Sequence, residues 1–186
     1  MSLAEFLAWE ERQELRYEFD GFQPVAMTGG TVAHDQITFN LRKSLDARLR
    51  GKPSRPAGPN VKILTPGKVR YPDGLVTCSP ISPTATVIDN PIVVFEVLSD
   101  DTARTDRIEK LREYQAVASI QRYVILEQKT IAATVFERWG DVWTAFAITE
   151  EDTLRMPEIG IEVLLAELFE TLAFAAASPD LDGLER

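Results

Sequence analysis

Four residues carry groups that could act together on a substrate: Glu18, Asp73, Glu96 and Lys110. Glu96 lies in the apolar stretch PIVVFEVLSDD, which runs from Pro91 to Asp101. In a strand, Ile92, Val94, Glu96 and Leu98 share one face, and Val93, Phe95 and Val97 share the other. Both faces are apolar, as in a central strand covered on both sides. A carboxylate left unpaired there costs several kcal/mol. Glu96 must therefore meet a cation, a hydrogen-bond network or a metal. An internal salt bridge and a ligand site satisfy that need equally. Its place near the C-terminal end of the strand is where open α/β sheets tend to bind ligands.

Asp73 sits in RYPDGLV. Turn chemistry accounts for Pro-Asp-Gly by itself, but LVTC continues as a strand, so Asp73 could equally project at the mouth of the sheet. Lys110 sits in DDTARTDRIEKLREYQAVA, with Thr102 as the expected N-cap. Ile108, Leu111, Gln115 and Ala118 form the expected inward stripe, with Asp106, Lys110 and Tyr114 on its shoulder. Lys110 either pairs with Asp106 on the surface, for a few tenths of a kcal/mol, or reaches the end of the preceding strand beside Glu96. Glu18, in LRYEFDG, falls with Arg16 on the face opposite Leu15, Tyr17 and Phe19, towards solvent or towards a site.

These residues need a scaffold, and the pattern supplies one. SLAEFLAWEE reads as a short helix with Ser2 as N-cap and Glu5 closing a capping box. LRYEFDGFQPVAM reads as a hairpin turning at Asp20-Gly21. Ile37, Leu41, Leu45 and Leu49 recur every four residues, an amphipathic helix over 32–50. GKPSRPAGPN breaks it. Short strands follow in VKILTPGKVRYPDGLVTC, then the strand 91–98 and a helix near 102–118. RYVILEQ, TIAATVFER and VWTAFAIT read as strands that extend the sheet or build a dimer contact. EVLLAELFETL reads as a closing helix. The expected fold is one α/β (α+β) domain over 1–174, a mixed sheet flanked by helices, with a loose tail over 175–186.

The chain has 186 residues, 45% of them apolar and 26% charged, the proportions of a soluble globular protein. No apolar run approaches ~18 residues, so no membrane span is expected. The N-terminus lacks the basic and apolar regions of a signal peptide, and Cys78 is the only cysteine. A reducing cytoplasm is the expected location. The net charge is −9, unlike a general nucleic-acid coat protein. The charge is uneven, however. Nine bases lie between Arg42 and Arg70 (with Lys43 among them) against the single acid Asp46, either a solvated face or a local anion-binding surface. A lone histidine, His34, excludes histidine-rich zinc sites. Neither a Gly-x-Ser-x-Gly elbow nor a phosphate-binding P-loop is present.

The order of these motifs is more specific than any one of them. A Tyr-Glu hairpin comes first, then a His-led helix (HDQITFNLRKSL), YPDG, VVFEVLS, and a helix with Asp-x-x-x-Lys-x-x-x-Tyr. From about Glu5 to Phe174 the chain resembles the Uma-type restriction endonuclease family, a branch of the PD-(D/E)xK nuclease superfamily. The resemblance implies a restriction-endonuclease-like fold and Mg²⁺-dependent (or Mn²⁺-dependent) cleavage of nucleic acid, with DNA the expected substrate and a homodimer the expected assembly. It assigns Asp73 and Glu96 to the metal, with the carbonyl of Val97 as a further ligand. Lys110 matches the catalytic lysine and Glu18 the extra acid of the N-terminal part. His34 matches the helix-leading histidine. The simplest superfamily pattern puts the lysine at position 98, where this chain has Leu98; in the Uma-type group it moves to the following helix. SDDT also replaces the family's Ser-Pro-Ser-Thr. Arg42, Lys43 and Arg70 are the bases expected to hold the backbone, through contacts that weaken with salt. The competing expectation is a catalytically silent dimerising or binding module.

Overall fold

A computed structural model describes residues 1–98 and 105–174, with side chains from residue 108 onward in the second segment. The expected tail, the Thr102 cap and the side chain of Asp106 lie outside the described residues. Helix α1 (Leu3–Glu10) opens with the capping box between Ser2 and Glu5. Strands β1 (Tyr17–Phe19) and β2 (Pro24–Ala26) form the hairpin. Asp20 closes it, its carboxylate accepting from the backbone N–H groups of Phe22 and Gln23 at 2.8 Å each. Helix α2 (Val32–Leu49) follows, capped by Thr31 through the His34 N–H. Then come β3 (Arg55–Ala57), β4 (Ile63–Thr65), β5 (Lys68–Arg70), β6 (Gly74–Thr77) and β7 (Pro91–Val97). A π-wound turn (Thr105–Lys110) leads into α3 (Leu111–Gln115). Strands β8 (Arg122–Leu126), β9 (Ala132–Trp139), β10 (Val142–Thr149), β11 (Thr153–Met156) and β12 (Ile161–Leu164) complete the order.

The main sheet runs β10-β9-β8-β7-β6-β3. Only β7 and β8 are parallel; the other neighbours are antiparallel. β7 is therefore internal, and from Val93 onward it splits its side chains as the alternation predicts; Ile92, expected on the Val94 face, packs with the α2 side, next to a register shift of β6 between Val76 and Thr77. Val93, Phe95 and Val97 pack with Ile37, Leu41, Leu45 and Leu49 of α2. Val94 and Leu98 pack with Tyr114, Ile120, Tyr123 and Ile125 on the opposite face. A second sheet, β2-β1-β5-β4, carries its own small core of Phe6, Phe19, Val69 and Tyr71. The chain crosses between the sheets through Tyr71, Pro72 and Asp73.

Three expectations change. EVLLAELFETL is not a helix: β12 pairs with β11, and a 3₁₀ turn over Leu165–Phe169 follows. Gly160 turns the chain at a φ of 66°, and Val163, Leu165, Leu168 and Phe169 enter the core beside α2, so packing overrides helix propensity. GKPSRPAGPN contains β3, whose Pro56 is tolerated because β3 is an edge strand. On the helix after β7, the expected stripe is rotated. Ile108 is 47% exposed, and Lys110, Glu113 and Tyr114 are buried instead. The wide π turn shifts the face, and ionic partners on the two sheets receive its charges.

Candidate active site

β6 and β7 pair antiparallel, with Gly74 opposite Phe95. One step further along that register sets Asp73 opposite Glu96. Asp73, the residue before β6, and Glu96, near the end of β7, therefore lie at the same end of the main sheet. Gly74 is demanded by packing: a Cβ there would lie 2.9 Å from Leu41 Cδ2 and 3.6 Å from Phe95 Cβ.

Asp73 is fixed through both oxygens. Oδ2 accepts from the Val97 backbone N–H at 2.7 Å, and Oδ1 lies 3.2 Å from His34 Nε2. The α2 cap thus brings the lone histidine onto the acid. Glu96 is buried, and its Oε1 accepts from Lys110 Nζ at 2.9 Å and from Tyr114 Oη at 2.7 Å. Burial first, and then the Glu96 carboxylate, hold the Tyr114 phenol protonated well above its ordinary range. The Lys110 ammonium lies beside Glu96, as one of its two expected positions required; the Asp106 side chain lies outside the described residues. The ammonium also lies 3.7 Å from Glu18 Oε1.

Glu18 is not turned to solvent. Its Oε1 accepts from the Tyr71 N–H at 3.1 Å, and its Oε2 from Arg70 Nη1 at 2.9 Å. Arg70, expected on nucleic acid, is buried. Its Nε and Nη2 each donate to Glu113 at 2.7 Å, a two-pronged pair. Burial alone would lower the Arg70 pKa, but Glu113 and Glu18 outweigh it and raise it, so the guanidinium stays charged. Glu113 also accepts from Lys68 Nζ at 2.7 Å. Desolvation opposes its ionisation, yet Arg70 and Lys68 bring its carboxyl below the ordinary value. Arg70 thus ties β1, β5 and α3 together and holds the acid that faces Lys110. Glu113 and Tyr114 are absent from the four starting residues. The available signal was spacing: three and four residues after Lys110, both share its helical face.

The remaining bases lie elsewhere. Arg42 is exposed on α2 and donates to the Gly58 carbonyl. Lys43 is exposed on the flank near Glu167, whose carboxyl is held low by Arg48 hydrogen bonds first, with Lys43 adding to the effect.

The donors at this sheet end are hard oxygens. Among the described residues no three His, Cys, Asp or Glu side chains gather as a metal cage. Carboxylates such as Asp73 and Glu96 nonetheless suit Mg²⁺, which binds through one or two carboxylates and keeps waters or substrate oxygens in its other positions. They are a poor set for a soft metal. Among the described residues no helix is long and apolar enough to cross a membrane.

Known proteins resemble this chain in sequence and in fold. The chain is 30% identical over 178 residues to "Uncharacterized protein slr1290" of Synechocystis sp., covering 94% of each. It is 24% identical over 146 residues to "Uncharacterized protein sll1609" of the same organism, covering 76% of this chain and 82% of that one. A crystal structure from Anabaena variabilis, titled as "a putative nuclease belonging to DUF820", superposes with a TM-score of 0.74 at 15% identity, covering 91% of this chain and 97% of that one. That likeness shows a common fold. Residues 3–166 match the Uma2 family, described as "Putative restriction endonuclease". The chain belongs to that family.

Proposed function

We propose that the protein is a divalent-metal-dependent endonuclease that hydrolyses phosphodiester bonds of nucleic acid, DNA foremost, at the sheet end occupied by Asp73 and Glu96. The observation that supports this reading most is that Asp73 accepts from the Val97 N–H, one residue after Glu96, while Lys110 Nζ lies 2.9 Å from Glu96. Asp73, Glu96 and the Val97 carbonyl would hold Mg²⁺ or Mn²⁺. When bound, the ion supplies charge neutralisation at the scissile phosphate and a more acidic water.

The chain's own residues do the rest. The Val97 N–H and His34 aim Asp73. The Tyr114 hydroxyl fixes the rotamer of Glu96. Lys110 is a buried cation beside the acids, suited to orient an attacking water or to stabilise negative charge gathering on phosphate oxygens. Glu18, held by Arg70 and the Tyr71 N–H, sets the position of the ammonium from its far side. In hydrolysis the water oxygen bonds to phosphorus as the bond to the leaving oxygen breaks. The water's proton is lost, and the leaving oxygen is protonated.

A second reading is supported by the same atoms. Lys110 and Tyr114 both satisfy Glu96 Oε1, as they would in a catalytically silent dimerising or binding module that keeps the fold. A nicking assay with Mg²⁺ or Mn²⁺ on plasmid and on single-stranded substrate separates the two. Wild type is expected to cut, and Glu96→Gln to lose ~10²-fold or more, with its circular dichroism spectrum retained. Equal behaviour of the two proteins, with no metal binding by either in calorimetry, refutes the nuclease reading.

A further inference from the structure

Lys110 and Arg70 meet the acids at the sheet end, but several other bases line a groove on the β3 edge of the main sheet. This groove, of about 400 Å³, is lined by Arg42, Arg50, Lys52 and Arg55, with Asp46 and Ser54 between them. Four bases against one acid make it strongly positive in a chain of net charge −9. Such a concave basic surface focuses potential on an anion.

Its path is set by backbone packing. β3 pairs with β6, Ala57 opposite Leu75 and Arg55 opposite Thr77. The next residue, Gly58, lies against the start of β6. A Cβ on it would stand 3.1 Å from the Pro72 and Asp73 carbonyl oxygens, and its φ is 104°. Arg42 donates to the Gly58 carbonyl. One end of the groove is therefore a single backbone layer from Asp73. The other end runs away from the carboxylates, past Arg55 to the end of α2. From Arg42 to Arg50 the helix rises about 12 Å, at ~1.5 Å per residue. That is the axial span of about three to four phosphates of one strand at ~3.4 Å each.

The bases remain available for an anion. The Arg50 side chain is 79% exposed, and its 3.1 Å pair with Asp46 is a loose i,i+4 contact, of a kind that contributes little. Arg55 is exposed at the start of an edge strand. Lys52 donates to the Gly160 carbonyl at 2.6 Å, which fixes its direction without neutralising its charge.

We propose that this groove holds the sugar-phosphate backbone of the substrate strand as it leaves the carboxylates, with Arg42 nearest to Asp73 and Arg50 and Arg55 farther along. The proposal rests on the endonuclease reading for its ligand and deepens it by giving the strand a path. The contacts are to phosphate, so they carry affinity without sequence preference.

Binding of a fluorescent oligonucleotide duplex, read by anisotropy with Ca²⁺ in place of Mg²⁺, tests it across a salt series. Arg50→Gln/Arg55→Gln is expected to bind more weakly than wild type. Its slope of log K against log salt should be shallower by ~1.8, the loss of two phosphate contacts. A fourfold rise in salt then costs the variant about 12-fold less affinity than it costs wild type. Arg155→Gln, at a base 80% exposed and outside the groove, should keep the wild-type slope. A shallower slope in the groove variant alone supports the proposal even if wild type cuts nothing, in which case only the nuclease reading falls. Equal slopes for the groove variant and wild type overturn it even if wild type cuts. It is also overturned if wild type fails to bind the duplex, or if the variant loses binding only to anionic lipid vesicles.

Discussion

Replacing Arg70 by methionine keeps most of the side-chain length and removes the cation shared by Glu18 and Glu113. Arg70 makes three charge-assisted hydrogen bonds at 2.7–2.9 Å, and its side chain is 3% exposed. Each such bond is worth about 1.5–3 kcal/mol against its absence, but the intact network already bears the cost of desolvating its members. The relevant quantity is the cost of stranding the partners, about 3–5 kcal/mol for a broken buried pair. Lys68 still donates to Glu113 at 2.7 Å and softens the loss, which places the expected cost near the lower end, about 3 kcal/mol. For a chain of this size that is a fall in Tm of about 6–12 °C. Urea unfolding should show a lower midpoint with an unchanged m value. Adding Glu113→Leu removes one stranded carboxylate. The double variant should therefore be more stable than the sum of the single changes predicts, by about 1–2 kcal/mol. The reasoning fails if Arg70→Met costs under about 1 kcal/mol, or if the two changes simply add.

Acid stability should report the same network. The folded pKa of Glu113 lies below its ordinary value, so the stabilisation it gives is complete above the unfolded value of about 4.3 and fades as pH falls through the folded value. Glu113→Gln should be less stable than wild type at pH 7, with a gap that narrows below about pH 4; urea titrations at both pH values check this, and a constant gap contradicts it. Gly74→Ala places a methyl group 2.9 Å from Leu41 Cδ2, itself 1% exposed, and should cost about 1–3 kcal/mol by overpacking. The same variant should lose metal-dependent nicking, because it shifts Asp73 as well; a variant as stable and as active as wild type would show that the contact relaxes freely.

Much of this arrangement was legible in the sequence because it rests on alternation. PIVVFEV has no polar face, so β7 had to be internal and Glu96 had to find partners. The capping box at Ser2 and the four-residue repeat of α2 are local signals, and both helices form where those signals place them. The Uma-type resemblance was likewise readable from motif order, and the family match bears it out. Long-range pairing was not legible. Arg70 looked like one base among nine until β5 paired with β1 and set its guanidinium between Glu18 and Glu113. The face of the helix after β7 was misjudged because the inward positions are charged. Ile108 yields to Lys110 and Glu113 only when the partners on both sheets are known. EVLLAELFETL has helix-forming residues throughout, and only the β11 pairing and the core beside α2 decide otherwise.

The crossing from one sheet to the other through Tyr71, Pro72 and Asp73 has a consequence for how the molecule comes apart. The smaller sheet has strands of three residues each and a core of four buried side chains, far less than the main sheet. Small units of this kind open at lower free energy than the whole fold. Such an opening separates Glu18 from Lys110 and Arg70 from Glu113, while the main sheet still holds Asp73 on the Val97 N–H beside Glu96. Whatever chemistry this sheet end performs is then limited by the least stable part of the molecule. On warming, amide exchange in β1 and β5 is expected to rise before exchange in β7 and β8, and any nicking activity to fall with the former.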